Sequence, residues 1–380
     1  MRRRLYTHIA LICCMLVLLA APTAKAQLGI RNLCPAIEIQ ARGATYEPGG
    51  IILTTFDRNN LWVYDIDRDR RYPLPETFPC TYNCRLSPDM RWLVYFNDLT
   101  NAYNRMRLDG TQRSLVSEYA AAVEWWSSDT WLVWTPGLHA YLIGADGTRT
   151  PLDVTSMISV QPGGNWGLAI EADGDHFQRT LVNMNDRTQR IDLGVDLTYF
   201  DDYGWSPDGT RFAYVAPIFT NDDEIPDGSE LLMATTADGT IVQLTRLLEA
   251  YGTARINGLA AGELHWSPDG SEIAFWLVDL GGFDPVETAL TATLHIVDVN
   301  TGAVRKFCHF ETEAHTPNPP RIVWSPDSTH IAFGADIPGD EKPNLLLALD
   351  TETGIFTILS EGIYPALGAP DVAVWGLPPG

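Results

Sequence analysis

Three segments of the chain nearly repeat one another: "YGWSPDGTRFAY" (203–214), "LHWSPDGSEIAF" (264–275) and "IVWSPDSTHIAF" (322–333). Each is a tight turn between two short runs of aromatic and branched residues. Proline sets φ at the second turn position, serine or aspartate suits the first, and glycine takes the φ > 0 exit. Each copy therefore reads as a β-hairpin. A recurring hairpin demands a fold that stacks like units, which excludes most architectures at once.

Anchoring on the turn proline or its equivalent places further copies at Pro48, Pro88, Ser128 and Pro162, before those at Pro207, Pro268 and Pro326. A second hairpin follows each, as in "MRLDGTQRSLV", "LLMATTADGTIVQLT" and "LHIVDVNTGAVRKF". Asp-Gly and Asn-Thr-Gly turns between such runs are strong hairpin signals. Each unit then supplies four antiparallel strands, A to D, over about 40 residues, the size of a propeller blade. The prediction is an all-β fold, a β-propeller of seven four-stranded blades. The closing strand is expected near residues 370–376, because "VAVWG" parallels "RIVW" and "ELHW" and would complete the first blade, leaving no open edge there. The 12 Trp, 31 Gly and 25 Pro, with no long helical period after residue 26, agree with this.

The "WSPDG…IAF" hairpin followed by "DGT…QLT" resembles the TolB-like, WD-repeat-related propeller repeat. The resemblance covers roughly residues 44–376, best in blades five to seven. It implies the propeller alone. The α/β domain that precedes the propeller in that family has no counterpart here, so the family's partner role is not carried over.

The amino terminus is a separate matter. Arg2-Arg3-Arg4, an apolar run from Ile9 to Ala21 and Ala24-Lys25-Ala26 form the three parts of a secretory signal peptide (residues 1–26), cut before Gln27. An uncleaved membrane anchor is the alternative. Residues 27–43 then form an N-terminal segment and 44–380 the propeller. Loss of Arg2, Arg3, Arg4 and Lys25, with no acids, takes the formal charge from −22 to −26. Such acidity argues against nucleic acid and anionic membranes as partners and leaves cations and basic partners open. No membrane insertion is expected after cleavage.

Cys34, Cys80, Cys84 and Cys308 remain in the mature chain, an even number suited to an oxidising compartment. Cys80 with Cys84 would staple a small loop, and Cys34 with Cys308 would tie the N-terminal segment to the body. This is one of three pairings.

Strands that run up and down a blade sort their connections onto two faces. The A–B and C–D turns are short. The B–C and D–A connections vary, and the long ones fall at Ala216–Ser229, Arg246–Glu263, Asp279–Thr291, Cys308–Arg321 and Ala335–Pro343. Binding residues gather on variable loops held by a rigid frame. The loop face of blades five to seven is therefore the candidate site, with Asp222, Asp223, Glu224, Asp227, Glu230, Asp284, Glu287, Glu311 and Glu313 as its binding residues. Their carboxylates can hold Ca²⁺, although the spacing matches no EF-hand loop. In "CHFETEAH" (308–315), an extended chain puts His309, Glu311, Glu313 and His315 on one face. His309 and His315 are the candidate ligands for a transition metal such as Zn²⁺ or Mn²⁺. No organic cofactor is expected.

Trp205, Trp266 and Trp324 are read as core residues, and Asp208, Asp269 and Asp327 as holding turn amides, because residues that recur once per blade serve the blade. The chain contains no G-x-S-x-G, H-E-x-x-H, P-loop or G-x-G-x-x-G motif. The expected function is an exported, non-enzymatic binding or scaffold module for a protein, peptide or glycan. The alternative is a metal-assisted lyase or hydrolase on the same scaffold.

Overall fold

The runs of branched and aromatic residues form strands, and the computed structural model arranges them as seven sheets in a ring. It describes residues 39–43, 46–55, 60–77, 84–137, 139–197, 202–221, 226–252, 254–256, 264–279, 290–312, 321–335, 345–361 and 372–379. From the innermost strand outward, blade one holds β30 (Val372–Gly376), β2 (Ile51–Thr55), β3 (Leu61–Asp65) and β4 (Arg70–Leu74). Blade two holds β5 (Arg85–Leu86), β6 (Trp92–Asn97), β7 (Ala102–Arg107) and β8 (Ser114–Glu118). Blade three holds β9 (Ala122–Ser127), β10 (Thr130–Thr135), β11 (His139–Gly144) and β12 (Arg149–Leu152). Blade four holds β13 (Met157–Val160), β14 (Trp166–Asp173), β15 (His176–Asn183) and β16 (Arg190–Asp196). Blade five holds β17 (Tyr203–Trp205), β18 (Arg211–Ile218), β19 (Gly228–Thr235) and β20 (Ile241–Gln243).

The last two blades each carry an addition. Blade six holds β22 (His265–Trp266), β23 (Glu272–Asp279), β24 (Leu290–Asp298) and β25 (Val304–Thr312), with β21 (Ala254–Ile256) further along the same side of β23. Blade seven holds β26 (Val323–Trp324), β27 (His330–Ala335), β28 (Leu345–Asp350) and β29 (Phe356–Glu361). The extra strand β1 (Ile39–Ala41) pairs in parallel on the outer edge of β29. The innermost strands of neighbouring blades touch from blade five through blades six, seven, one and two to blade three.

The predicted ring closure is present: β30 pairs antiparallel with β2, Leu53 opposite Val374. The sequence reading began the propeller at residue 44, whereas the sheet of blade seven also draws on residues 39–41. Part of the stretch from Cys308 onward, read as loop, continues β25 to Thr312, because Leu290–Ala292 of β24 extend alongside it. Within the long connection from blade five to blade six lies a short helix, α1 (Leu247–Tyr251), followed by β21.

The second strand of each blade carries a central run of buried apolar residues because both faces of the blade are covered there. In β18, Phe212, Tyr214 and Ala216 enter the core shared with blade four, while Ala213 and Val215 enter the core shared with blade five's other neighbour, blade six. In β23, Ile273, Phe275 and Leu277 face blade five, and Ala274 and Trp276 face blade seven. Burying each of the larger side chains contributes about 1.5–3 kcal/mol before ordering costs. Alternate residues of one strand thus bind the blade to two neighbours.

Gly270 occupies the exit of the blade-six turn at φ +71°, and a Cβ there would lie 3.0 Å from Arg211 Nη2. Met90 and Ser328 hold matching turn positions at φ 55° and 64°, so unbranched side chains are accommodated. A β-branched side chain is strained further in this region. Gly270→Val is expected to destabilise the protein by about 1–3 kcal/mol. Gly43→Val, with nothing within 4 Å of its Cβ, is expected to stay within about 0.5 kcal/mol. Calorimetric melting of the two variants tests this, and equal melting temperatures would refute the turn assignment.

Candidate functional site

On one face of the ring the recurring residues hold the turns. The Ser206 hydroxyl accepts from the Arg211 amide at 3.0 Å and donates to Asp208 at 2.5 Å, while Asp208 accepts from the Thr210 amide at 3.1 Å. The same pattern joins Ser267 with Asp269 and Ser325 with Asp327. Burial alone would raise the Asp208 pKa, but the hydrogen bonds from Ser206 and Thr210 outweigh it and hold the group below its ordinary value. In blade four, where the motif is "QPGG", the Gln161 side-chain oxygen accepts from the Asn165 and Trp166 amides instead.

The tryptophans join one blade to the previous one. Trp266 Nε1 donates to Gly204 O at 3.0 Å, Trp324 Nε1 to His265 O at 2.8 Å, and Trp205 Nε1 to Ser159 Oγ at 3.2 Å. Trp125 in blade three donates to Arg85 O of blade two at 2.9 Å. These residues are structural, as their recurrence implied.

The opposite face carries the variation. The B–C connections span 136–138 and 174–175 in blades three and four, but 219–227, 280–289 and 336–344 in blades five to seven. Between blades two and three the D–A connection spans only 119–121, while residues 244–264 separate β20 from β22.

The described start of this face is built by the upper end of β19. Glu230 is 3% exposed, and its carboxylate accepts from Thr245 Oγ1 at 2.6 Å, Leu247 N at 2.8 Å and Leu248 N at 2.9 Å. It satisfies amides at the start of α1 that the helix itself leaves unpaired. Ser229 Oγ accepts from Ile256 N at 2.9 Å and so positions β21. Asp227 accepts from the amide and hydroxyl of Thr220 at 2.6 and 2.5 Å, and these bonds hold its pKa below the ordinary value. Of the carboxylates assigned to binding, Glu230 and Asp227 therefore shape the loops, and Glu230 faces inward.

Asp222, Asp223, Glu224, Asp284, Glu287, Glu313 and His315 lie outside the described residues, as do Cys34 and Cys80. The backbone of His309 and Glu311 belongs to β25, opposite Thr293 and Thr291, and their spacing of two places them on one face of that strand. The side chains of His309, Glu311 and Cys308 lie outside the description. Cys84 is disulfide-bonded, with a partner beyond the described side chains. Among the described residues, no three His, Cys, Asp or Glu side chains gather where they could hold a metal ion.

One polar pair escaped the sequence reading. Tyr251 of α1 and His295 of β24 meet at 3.0 Å (hydroxyl to Nε2), and His295 Nδ1 lies 2.8 Å from Thr293 O. A carbonyl only accepts, so Nδ1 carries the proton and the Tyr251 hydroxyl donates to Nε2. His295 is 1% exposed and lies parallel to Phe275 at 5.6 Å. The available signal was a lone histidine in the apolar run "LHIV".

Burial, helped by Arg321, pushes His265 down to about 3, and burial also lowers His295 and His330. An unfolded histidine takes up its proton near 6.5. Below that pH the unfolded chain binds protons that the folded chain refuses, so stability falls with pH. The melting temperature is expected to decline from pH 6.5 toward 3, the window set by His265. His265→Gln should flatten that decline, and an unchanged profile would remove His265 as its source.

No family model matches the sequence, and no curated protein matches it. Solved structures similar to it include TolB from Acinetobacter baumannii, at 13% identity over 87% of this chain and 67% of that one, with a TM-score of 0.41. An oligogalacturonate lyase from Vibrio parahaemolyticus is similar at 11% identity over 83% of this chain and 87% of that one, TM-score 0.49. Dipeptidyl peptidase 4 from Porphyromonas gingivalis is similar at 10% identity over 75% of this chain and 47% of that one, TM-score 0.45. These proteins differ in activity, and the likeness assigns none of their activities to this chain.

Proposed function

We propose that this chain is an exported, TolB-like and WD-repeat-related propeller that binds a protein, peptide or glycan through the B–C and D–A connections of blades five to seven, without chemistry of its own. The observation that carries this reading is the asymmetry of the two faces. One keeps its turns short and uses its recurring polar residues to hold them. The other lengthens its connections in three adjacent blades, where a rigid frame presents variable segments. The sequence features behind export are the charged start, the apolar run and Ala24-Lys25-Ala26.

The test replaces residues 280–289 by Gly-Asp, the turn that blade four uses at 174–175. Capture from envelope extracts is expected to lose its specific partner in this variant and to keep it in Gly43→Val, both melting like the parent. Equal capture by both would defeat the reading. N-terminal sequencing of the secreted form should start at Gln27.

A second reading, a metal-assisted lyase or hydrolase, is favoured by one observation: His309 and Glu311 stand two residues apart in a regular stretch of β25. Zinc, manganese or calcium retained through dialysis and lost in His309→Ala would support it. A metal-free protein would set it aside.

A further inference from the structure

The outer edges of the seven blades differ in their protection. Unpaired sheet edges attract other strands, and charges, prolines, bulges or a covering segment prevent this. β4 carries Arg70, Arg71 and Pro73, β12 carries Arg149 and Pro151, and β25 carries Arg305 and Lys306. β16 carries Arg190 and Asp192 and is broken by a bulge, and the ladder of β8, which ends at Glu118, is also irregular. β29 is covered by β1. Among the described residues β20 has none of these devices: it reads Ile241-Val242-Gln243 and is the last strand of its sheet.

Its geometry is open. Ile241 and Val242 are 38% and 46% exposed. Inward bonds run from Thr235 N to Thr240 O at 2.9 Å and from Leu244 N to Leu231 O at 2.8 Å, with Val242 opposite Met233 between them. An antiparallel ladder alternates, so the N–H and C=O groups of Ile241 and Gln243 point away from the sheet.

Blade seven shows what such an edge accepts in this protein. β1 adds in parallel with Gln40 opposite Thr357, and Gln40 Nε2 donates to Thr357 Oγ1 at 3.1 Å. Just beyond the strand, Arg42 reaches blade one, donating to the Tyr64 hydroxyl at 3.0 Å and pairing with Asp69 at 2.8 Å.

We propose that the edge of blade five takes an extended segment of a partner protein, added parallel to β20 as β1 is added to β29, with β-branched residues in the strand and Lys or Arg just after it. The formal charge of −22 opposes a second copy of this chain and favours a basic segment. This surface lies on the rim of the ring and does not depend on the loop-face reading.

The probe is a fluorescein-labelled peptide, Thr-Val-Thr-Val-Thr-Arg, titrated into the mature protein by anisotropy. Saturable binding is expected, with slowed hydrogen exchange at the Ile241 and Gln243 amides. Gln243→Pro removes an outward amide without touching the ladder and should weaken binding about tenfold. Ile241→Lys should do the same by placing a like charge against the peptide. If Gln243→Pro alters the melting temperature, Ile241→Lys decides. A peptide methylated on its backbone nitrogens should not bind. Absent saturation, equal binding by the variants, or undiminished binding of the methylated peptide would each overturn the proposal. So would a dimer of the parent protein in sedimentation that Gln243→Pro abolishes, because the occupant would then be a second copy.

Discussion

Removing residues 372–380 is expected to lower the melting temperature by about 6–13 °C and to leave a protein that aggregates. Val372, Ala373, Val374 and Trp375 are all at or below 5% exposure. They fill two cores: Ala373 and Val374 lie between blades one and two, and Val372 and Trp375 between blades seven and one. Trp375 Nε1 also donates to Gly49 O at 3.1 Å. The three larger side chains contribute about 1.5–3 kcal/mol each, a sum comparable with the roughly 5–15 kcal/mol that holds a domain folded. The loss would also bare the edge of β2, open to pairing between chains. Scanning calorimetry and light scattering check both parts. A truncated chain that melts like the parent and stays monodisperse would mean that β30 does not close the ring.

Glu230→Ala is expected to cost about 3 kcal/mol or more, the second-largest effect. The substitution strands the Thr245 hydroxyl and the Leu247 and Leu248 amides beside a buried cavity. Each donor left unpaired in such surroundings costs about 1–3 kcal/mol. Asp227→Ala, from the same acidic stretch, should cost about 1 kcal/mol, because the Thr220 groups it frees are exposed and water replaces it. Hydrogen exchange should show α1 opening in the first variant and not in the second. Similar losses for the two would mean that Glu230 does not organise the connection to blade six.

The contrast between these two acids marks where sequence reasoning ends. The seven blades were legible because a β-hairpin is a local object: its turn residues and both strands lie within one short stretch, and the stretch recurs. The role of Asp269 was legible for the same reason, since the amide it holds is two residues away. Glu230 finds its partners beyond an intervening strand, at Thr245, Leu247 and Leu248, and nothing in "DGSE" announces them. β1 is harder still. Three residues, Ile-Gln-Ala, carry no turn signal and pair with residues 356–358 at the far end of the chain. Cys308–Thr312 fell within a long connection because its charges and histidine carry no apolar alternation, and its strand character comes from the β24 ladder beside it.

The first and last strands, β1 and β30, meet in a way that bears on lifetime. Inside blade one no short chain connection joins β30 to β2, so pairing and packing hold the last strand to the first blade. Yet the first described strand, β1, lies on blade seven, and the chain crosses to blade one before entering β2. The first and last strands therefore overlap across one junction as in a lap joint. To open the ring, β30 must peel from β2 while β1 is also released from β29 and Arg42 from Tyr64 and Asp69. Fraying at either end alone leaves the other still bridging the gap, and the frayed strand re-forms against neighbours that have not moved apart. Ring opening then needs two rare events at once, so its rate scales with the product of their probabilities.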